Sequence, residues 1–283
     1  MNVSVIFVLY KPNIDEFYKT LDSIKNQVNH LIIVVNENAE YNFSNYSNSV
    51  QISLGKNFGI AYAQNRGIEK AISLSSDYIL LSDQDTVYPT NYISSFIPYI
   101  QKNYADVYCP VFYDKVKNTY SPIMVGKFKA IYKYDEPIYV EHAIASGTLI
   151  KSDIFKETGL MDEKLFIDYV DFEWCWRIVS KKKKIITIPS IIINHQLGDG
   201  VKKIGLWKVT LRSDFRYFYI IRNGFYLSFY CEYLNKYERK HLLLRTLKFC
   251  IGIILLKHNL TGIKLCKNAY EDAKKKNFNG YKA

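Results

Sequence analysis

Four apolar runs are interspersed with two amphipathic stretches over the first 83 residues. The runs lie at 3–10, 30–38, 51–55 and 77–83, and the helical stretches between them at 13–27 and 59–74. Most of the runs are rich in Val, Ile and Leu without polar alternation, which is typical of strands buried on both faces. Strands that alternate with helices predict an α/β fold, with a mostly parallel, Rossmann-like sheet flanked by helices.

The chain is basic, with a formal net charge of +11 over 283 residues. This charge favours a polyanionic partner, such as an anionic membrane, a phosphorylated ligand or a nucleic acid, although it also suits a merely soluble surface. The five cysteines form no C-x-x-C pair, and we expect them to be reduced thiols of a cytoplasmic protein. The N-terminus reads as a first strand rather than a signal peptide.

Two acids, Asp83 and Asp85, follow directly after the fourth predicted strand. Ligands of open α/β sheets bind at the carboxyl ends of the strands, where Tyr10 and the turn at 36–38 are also expected. We therefore predict that these three segments gather along one rim. Two carboxylates there suit a hard divalent cation, although D-x-D also occurs by chance in acidic surface turns.

A second group of acids lies in the run FIDYVDFEWCWR, residues 166–177. Asp168, Asp171 and Glu173 crowd the start of a predicted helix, where the helix dipole favours negative charge. Glu173 and Arg177 are four residues apart and can pair on one helix face. The acids are either helix-terminal charges with one ion pair, or they include a general base.

Two further segments carry candidate ligands. His195 ends a predicted strand before a glycine turn, and a neutral imidazole binds divalent metals, although a lone histidine is more often structural. Asn57 and Asn65 lie in a glycine-containing run at a helix start, where amides can hold a nucleobase or a pyrophosphate.

Together, these motifs resemble family 2 glycosyltransferases with the GT-A fold. The motifs are VSVIFVLYKP, the N-x-G-x-A-x-A-x-N-x-G run from Asn57 to Gly67, D-Q-D and D-x-E-W-C-W-R, in that order. The runs LLSDQDT, SGTLIKSDIFKETGLMDEKLF and NHQLGDG are closest to those of bacterial rhamnosyltransferases. One difference is Asn36–Glu37, where many relatives have Asp–Asn.

The resemblance implies a role for each motif residue. Asp171 matches the catalytic base, while Asp83, Asp85 and His195 would hold Mn²⁺ or Mg²⁺ beside the diphosphate. The residues expected along the nucleotide sugar are Tyr10, Glu37, Asn57, Asn65, Asp83 and Gln84. The residues expected to shape the acceptor or diphosphate pocket are Asp168, Glu173, Trp174 and Arg177.

The activity so implied is an inverting, metal-dependent transfer of L-rhamnose from dTDP-rhamnose to a lipid-linked glycan, in synthesis of a bacterial surface polysaccharide such as capsule or O-antigen. We expect a catalytic domain at 1–205 and a basic, aromatic helical region at 206–283. The helical region would bind the inner face of the cell membrane, or its apolar faces would pack on the catalytic domain or form a homodimer, with no nucleic-acid partner. The protein would then be cytoplasmic and peripheral to the membrane. The residues that suit an anionic bilayer include Trp207, Arg216, Tyr217 and Tyr219.

Three alternatives stay open. The first is a transferase of the same fold whose donor is a UDP-hexose such as UDP-galactose. A non-catalytic protein that binds anionic membranes would account for the charge and the aromatic residues, but not for the acids. A nucleotidyltransferase also uses paired acids with Mg²⁺, but it normally has a glycine-rich phosphate loop after the first strand, and the segment LYKPNID contains no glycine.

Overall fold

The chain begins with four strands and two helices, in the order predicted. The computed structural model describes residues 1–114, 118–132, 134–194, 201–204, 207–257 and 260–281, of which 201–204 and 207–209 are described by their backbone alone. The first strands are β1 (Val3–Leu9), β2 (His30–Val35), β3 (Ser49–Ser53) and β4 (Tyr78–Ser82), and the helices between them are α1 (Ile14–Ile24) and α2 (Ile60–Ser73). Only β3 is displaced from its predicted run, by two residues toward the N-terminus.

The middle of the chain adds shorter strands and helices to this framework. The strands are β5 (Val107–Asp114), β6 (Thr119–Tyr120), β7 (Ile123–Met124), β8 (Ala130–Ile131), β9 (Ile138–Val140), β10 (Thr148–Lys151) and β11 (Ile185–Asn194). The helices are α3 (Ile97–Gln101), α4 (Ile154–Thr158) and α5 (Val170–Ser180), with 3₁₀ turns at Ser94–Phe96 and Glu163–Leu165.

Strands β1 to β11 form one nine-stranded sheet in the order β3-β2-β1-β4-β10-β5-β11-β9, with β6 beside β5, and a small separate pair, β7 and β8. The first four strands are mutually parallel, as are β5 and β11, whereas β10 runs antiparallel to both of its neighbours. The predicted α/β fold with a mostly parallel sheet is confirmed.

The core lies against both faces of β1, all of whose residues are buried. On one face, Phe7 meets Phe17 of α1 edge to face, with ring centroids 5.3 Å apart. Full burial of a side chain of this size contributes about 1.5–3 kcal/mol. On the other face, a Cβ on Gly67 of α2 would lie 2.4 Å from Ile6 Cγ2, so glycine permits the close approach of α2 to β1. This packing holds β1 in place between the two helices, and the end of β1 forms part of the site.

The chain divides into two compact units, one comprising residues 1–163 and 174–196, the other residues 164–173 and 197–283. The division falls within α5. The second unit contains β12 (Val201–Ile204), β13 (Trp207–Thr210), α6 (Asp214–Tyr230), α7 (Lys236–Lys257) and α8 (Leu260–Lys275). Its core is formed by one face from each of these helices, including Ile221, Ile253 and Ala269, none of which is exposed.

Two sequence expectations for this unit are wrong. The helix predicted from Trp207 onward begins only at Asp214, because residues 207–210 pair with β12 as a strand. Tyr217 and Tyr219, expected on a membrane-facing surface, are buried in the helical core, so the face of α6 that carries them is an internal packing face. No helix in the described part of the chain is long and apolar enough to cross a bilayer.

Candidate functional site

Three strand ends meet at one rim of the sheet, as predicted from their positions in sequence. Gln84, after β4, accepts a hydrogen bond from Tyr10 N (3.1 Å) and donates one to Tyr10 O (3.4 Å), just after β1. Glu37, after β2, accepts from Lys11 N at 2.7 Å. Lys11 is in the left-handed region, with φ +47°, which turns the chain sharply at this point. Tyr10, Glu37 and Gln84 therefore lie side by side.

The turn that carries Asp83 and Asp85 is fixed through its backbone. Asp83 N donates to Ser146 Oγ (3.0 Å), which also lies 3.1 Å from Thr86 Oγ1, and both of these hydroxyl residues are buried. Thr20 of α1 donates to Gln84 O. In contrast to this anchored backbone, Asp83 and Asp85 are exposed at the surface. The turn thus presents two carboxylates from a fixed frame.

Tyr88 supports the same turn from below. Its hydroxyl donates to Ser82 Oγ at 2.6 Å, and Ser82 in turn donates to Asp83 O at 2.9 Å. Burial raises the pKa of Tyr88 above its ordinary value, and the nearby carboxylate of Asp83 adds to this effect. The phenol therefore stays protonated and keeps its donor role in this chain of hydrogen bonds.

The amides predicted to hold the nucleotide differ in their surroundings. Asn57 Oδ1 accepts from Asn36 Nδ2 (3.2 Å) and from Gly59 N (2.9 Å), next to the start of α2. Asn36 is buried, and its Oδ1 accepts from Phe58 N. Asn36 therefore connects the end of β2 to the loop before α2, and Asn57, half-buried, lies at that loop.

Asn65 is occupied by contacts within the protein. Its Nδ2 donates to Met161 O (3.0 Å) and to Glu163 Oε1 (2.9 Å), and its Oδ1 accepts from Met161 N (2.9 Å). Only 2% of the residue is exposed. In this structure the side chain fastens α2 to residues 161–163.

Trp174 and Arg177, predicted to shape an acceptor or diphosphate pocket, hold α5 against the loop that follows α4. Trp174 is buried, stacks on Phe155 and donates from Nε1 to Gly159 O at 3.1 Å. Arg177 Nη1 donates to the carbonyls of Thr158 (2.9 Å) and Leu160 (2.8 Å). These contacts fix the C-terminal part of α5.

In the second unit, the segment before α5 has an unusual backbone. Phe166, Asp168 and Tyr169 have φ values of +63°, +62° and +65°, in the left-handed region. Each such non-glycine residue costs about 1–2 kcal/mol, and strain of this kind persists where the surroundings impose it. Asp168 accepts two hydrogen bonds from Arg216 of α6, at 2.5 and 3.1 Å, a bidentate ion pair.

Asp171 lies in the first turn of α5, directly after this segment. It is half-buried, and its Oδ1 accepts from Phe172 N at 2.9 Å. A helix N-terminus stabilises the charged carboxylate there. Glu173, two residues further on, is buried, and its backbone N donates to Tyr169 O at 2.9 Å, which closes the first turn of α5. The strained segment and the helix that carries Asp171 are therefore directly connected.

His195, the third predicted metal ligand, lies outside the described residues. Among the residues that are described, no three His, Cys, Asp or Glu side chains are grouped so that they would hold a metal ion. The exposed carboxylates of Asp83 and Asp85 are nevertheless the oxygen ligands that Mg²⁺ and Mn²⁺ take, with substrate phosphates completing the shell. These two residues fit a divalent cation of this kind.

Sequence reasoning missed several residues that shape both regions. Ser146 and Thr86 anchor the acidic turn, and Arg216 pairs with Asp168, although each is distant in sequence from its partner. Ser146 begins the run SGTLIKSD, whose sequence indicates a family motif but not this contact. Arg216 reads from sequence as a surface cation, and nothing in the local sequence indicates its pairing.

Comparison with known proteins agrees with this architecture. The family model described as glycosyl transferase family 2 matches residues 4–159. The dTDP-rhamnosyl transferase RfbF of Shigella flexneri is 31% identical over 236 residues, which cover 80% of this chain and 79% of that protein.

Solved structures share the fold at lower identity. TarS from S. aureus, in complex with UDP-GlcNAc, superposes with a TM-score of 0.62 at 13% identity, covering 96% of this chain and 81% of that one. GalNAc-T7, solved with UDP, GalNAc and Mn²⁺, superposes with a TM-score of 0.56 at 14% identity, covering 87% of this chain and 54% of that one. At these identities, the structures show the GT-A fold alone.

Proposed function

Because the chain belongs to glycosyl transferase family 2, and is thus a glycosyltransferase, we propose that it transfers L-rhamnose from dTDP-rhamnose to a lipid-linked glycan, with inversion at the anomeric carbon. The observation that carries the proposal is the acidic turn after β4, whose backbone is anchored while Asp83 and Asp85 are exposed at the rim of the sheet. The similarity to RfbF supports dTDP-rhamnose as the donor.

In this proposal the donor nucleotide lies along the rim of the first unit, beside Tyr10, Glu37, Asn57 and Gln84. Asp83 and Asp85, with His195, would hold Mn²⁺ or Mg²⁺, which offsets the charge that builds up on the leaving diphosphate. Asn65, Trp174 and Arg177 support the frame through their contacts within the protein, rather than touching the substrate.

Asp171 acts as the general base. It removes the proton from an acceptor hydroxyl while that oxygen attacks the anomeric carbon on the face opposite the diphosphate. The new glycosidic bond forms as the bond to the diphosphate oxygen breaks, so dTDP leaves and the configuration inverts. Asp168 is paired with Arg216, and in this proposal it orients the segment before Asp171.

The acceptor would be reached at the inner face of the cell membrane, in surface polysaccharide synthesis. Leu244, Leu247, Ile251 and Leu255 form an exposed row along α7, here called the α7 stripe, at the spacing of one helix face. The exposed cations Arg245 and Lys248 lie beside it, and Lys264 and Lys267 are exposed on α8. Apolar side chains bordered by cations suit an anionic bilayer surface better than a neutral one.

The donor is tested by thermal shift with Mn²⁺ and a panel of dTDP-, UDP- and GDP-sugars, because a bound ligand stabilises the folded state according to its occupancy. We expect the largest shift with dTDP-rhamnose, followed by transfer of rhamnose to a lipid-linked acceptor. A larger shift and transfer with UDP-galactose would favour the hexosyl alternative. Vesicle binding without any response to nucleotide sugars would favour a non-catalytic membrane protein.

A further inference from the structure

Asn223 of α6 contacts three carbonyl groups of the segment before α5. Its Nδ2 lies 2.9 Å from each of Leu165 O, Ile167 O and Asp168 O. The residue is completely buried. Buried carbonyl groups need hydrogen-bond donors, and one buried amide supplies a donor to three carbonyls of this short, irregular segment. The amide therefore helps to determine the path of the segment.

Arg222, its neighbour, completes the contact. Its guanidinium donates to Lys164 O (2.8 Å) and Leu165 O (3.0 Å), and also to Asn223 Oδ1 (2.8 and 2.9 Å). The donors on Arg222 require an oxygen at that position of Asn223, so the amide nitrogen must face the carbonyls. The two side chains therefore act as one unit with a defined orientation.

Two more residues of α6 hold the same segment. Tyr219 stacks on Phe166, with ring centroids 4.8 Å apart, and Arg216 binds the carboxylate of Asp168. Residues 216, 219 and 223 lie on one face of the helix, at the spacing of its turns. This face of α6 thus contacts Phe166 and Asp168, two of the three left-handed residues, whose conformation a free chain would avoid.

We propose that Asn223 and Arg222 are positioning residues of the transfer reaction, which fix the backbone at 164–168 and thereby the place of Asp171. This inference rests on the proposed function, in which Asp171 is the general base. Asp168, whose carbonyl oxygen contacts Asn223, is only three residues before Asp171 in the chain. If residues 164–168 lost their contacts with α6, the start of α5 would move, and Asp171 with it. A displacement of about 1 Å at a catalytic group costs roughly 10²-fold in rate.

The test uses the full chain with three variants and measures kcat, the donor KM and thermal stability. Asn223→Asp keeps the size of the side chain and its acceptor for Arg222, but replaces the amide donor with an oxygen. We expect kcat per folded molecule to fall about 10- to 100-fold, with the donor KM unchanged to within about twofold. The acid limb of the kcat–pH profile should also shift, since it reports the general base.

Two further variants separate positioning from stability. Ser228→Ala removes another buried hydrogen bond of α6, from Ser228 Oγ to Gly224 O, which does not involve residues 164–168. This control should lose stability and keep its kcat and KM. Arg216→Gln removes the ion pair with Asp168 and so loosens the same segment. Because the Arg216 side chain is 37% exposed, this variant should fold even if Asn223→Asp does not. Its kcat should fall.

The outcomes are distinguishable. If the wild-type protein transfers sugar while Asn223→Asp and Arg216→Gln keep its kcat per folded molecule, the positioning role is overturned and the proposed function stands. Equal losses of kcat in these variants and in Ser228→Ala would also overturn it. A wild-type protein that transfers no sugar from any donor would overturn both proposals.

Discussion

Tyr10 and Gln84 exchange two hydrogen bonds across the ends of β1 and β4, with Gln84 Oε1 accepting from Tyr10 N and Gln84 Nε2 donating to Tyr10 O. The middle residue of the D-Q-D motif thus joins the acidic turn to the neighbouring strand. The two acids on either side of Gln84 remain exposed. This arrangement explains how a short turn on the surface keeps two like charges close together without losing its shape.

Substitution of one of these acids should weaken the metal-dependent binding of the nucleotide. Asp85→Asn is expected to weaken binding of dTDP in the presence of Mn²⁺ at least about tenfold, because one charged oxygen ligand is lost. Calorimetric titration with Mn²⁺ and with EDTA measures this effect. The wild type should lose affinity on chelation, whereas the variant should respond little. Asp15→Asn, on the exposed start of α1, is the control, and identical behaviour of all three proteins would contradict a metal at the turn.

The fold and the rim could be predicted from sequence because they depend on local patterns. A strand such as β1, buried along its whole length, needs an uninterrupted apolar run, and a parallel sheet brings its strand ends together. Tyr10, Glu37 and Gln84 could therefore be placed as neighbours. By contrast, Asn65 matched a motif, and nothing near it in sequence indicates that Met161 and Glu163 occupy its amide.

Gly147 should be the least replaceable glycine near the acidic turn. It has φ +74°, and a Cβ there would lie 2.2 Å from Ile193 Cδ1 and 2.9 Å from the Tyr92 hydroxyl. Gly147→Ala is therefore expected to lower the free energy of unfolding by roughly 2–4 kcal/mol, from backbone strain and overpacking.

Chemical denaturation measures this loss, and Gly126→Ala is the matched control. A Cβ on Gly126 would meet only Lys129 Cβ, at 3.8 Å, so the free energy of unfolding should change by less than about 0.5 kcal/mol. Equal stability of the two variants would refute the packing described around Gly147.

The Cys109 thiol should resist alkylation in the native protein. Burial raises its pKa to about 12 from an ordinary value of 9.0, and a hydrogen bond from Thr148 only partly offsets this. The contribution of this thiol to the free energy of unfolding is fully present below pH 9. It is lost as the pH rises through about 12, because the thiol of the unfolded chain loses its proton first. Treatment with iodoacetamide at alkaline pH, followed by peptide mass spectrometry, should label Cys109 in urea but not natively. Native labelling at the unfolded rate would contradict this burial.

The α7 stripe should bind anionic vesicles. We expect the protein to sediment with vesicles of equal parts phosphatidylcholine and phosphatidylglycerol, and less in high salt or with phosphatidylcholine alone. Ile251→Glu should abolish this binding, whereas Ile97→Glu, a similarly exposed isoleucine of α3, should not. A dimer in light scattering that Ile251→Glu disrupts, without vesicle binding by the wild type, would instead assign the stripe to a second copy of the chain.

The second unit shows where local patterns are insufficient. Basic and aromatic residues along α6 suggest a membrane-facing surface, but Tyr217 and Tyr219 pack inside the unit and Arg216 pairs with Asp168. The sequence of an apolar helix face indicates that the face is buried, but it does not indicate what the face packs against, which depends on tertiary contacts. The left-handed conformations of Phe166 and Asp168 are likewise stabilised by contacts with α6, which the local sequence does not indicate.

Substitution of Asp171 tests the central claim most directly. Asp171→Asn should bind dTDP-rhamnose with an affinity within about twofold of the wild type, while its rate of rhamnosyl transfer falls about 10²- to 10⁴-fold, as expected for loss of a general base. The measurement pairs a calorimetric donor titration with transfer of labelled rhamnose, and Asp15→Asn serves as the control. Transfer at the wild-type rate by Asp171→Asn would contradict the assignment of Asp171 as the base.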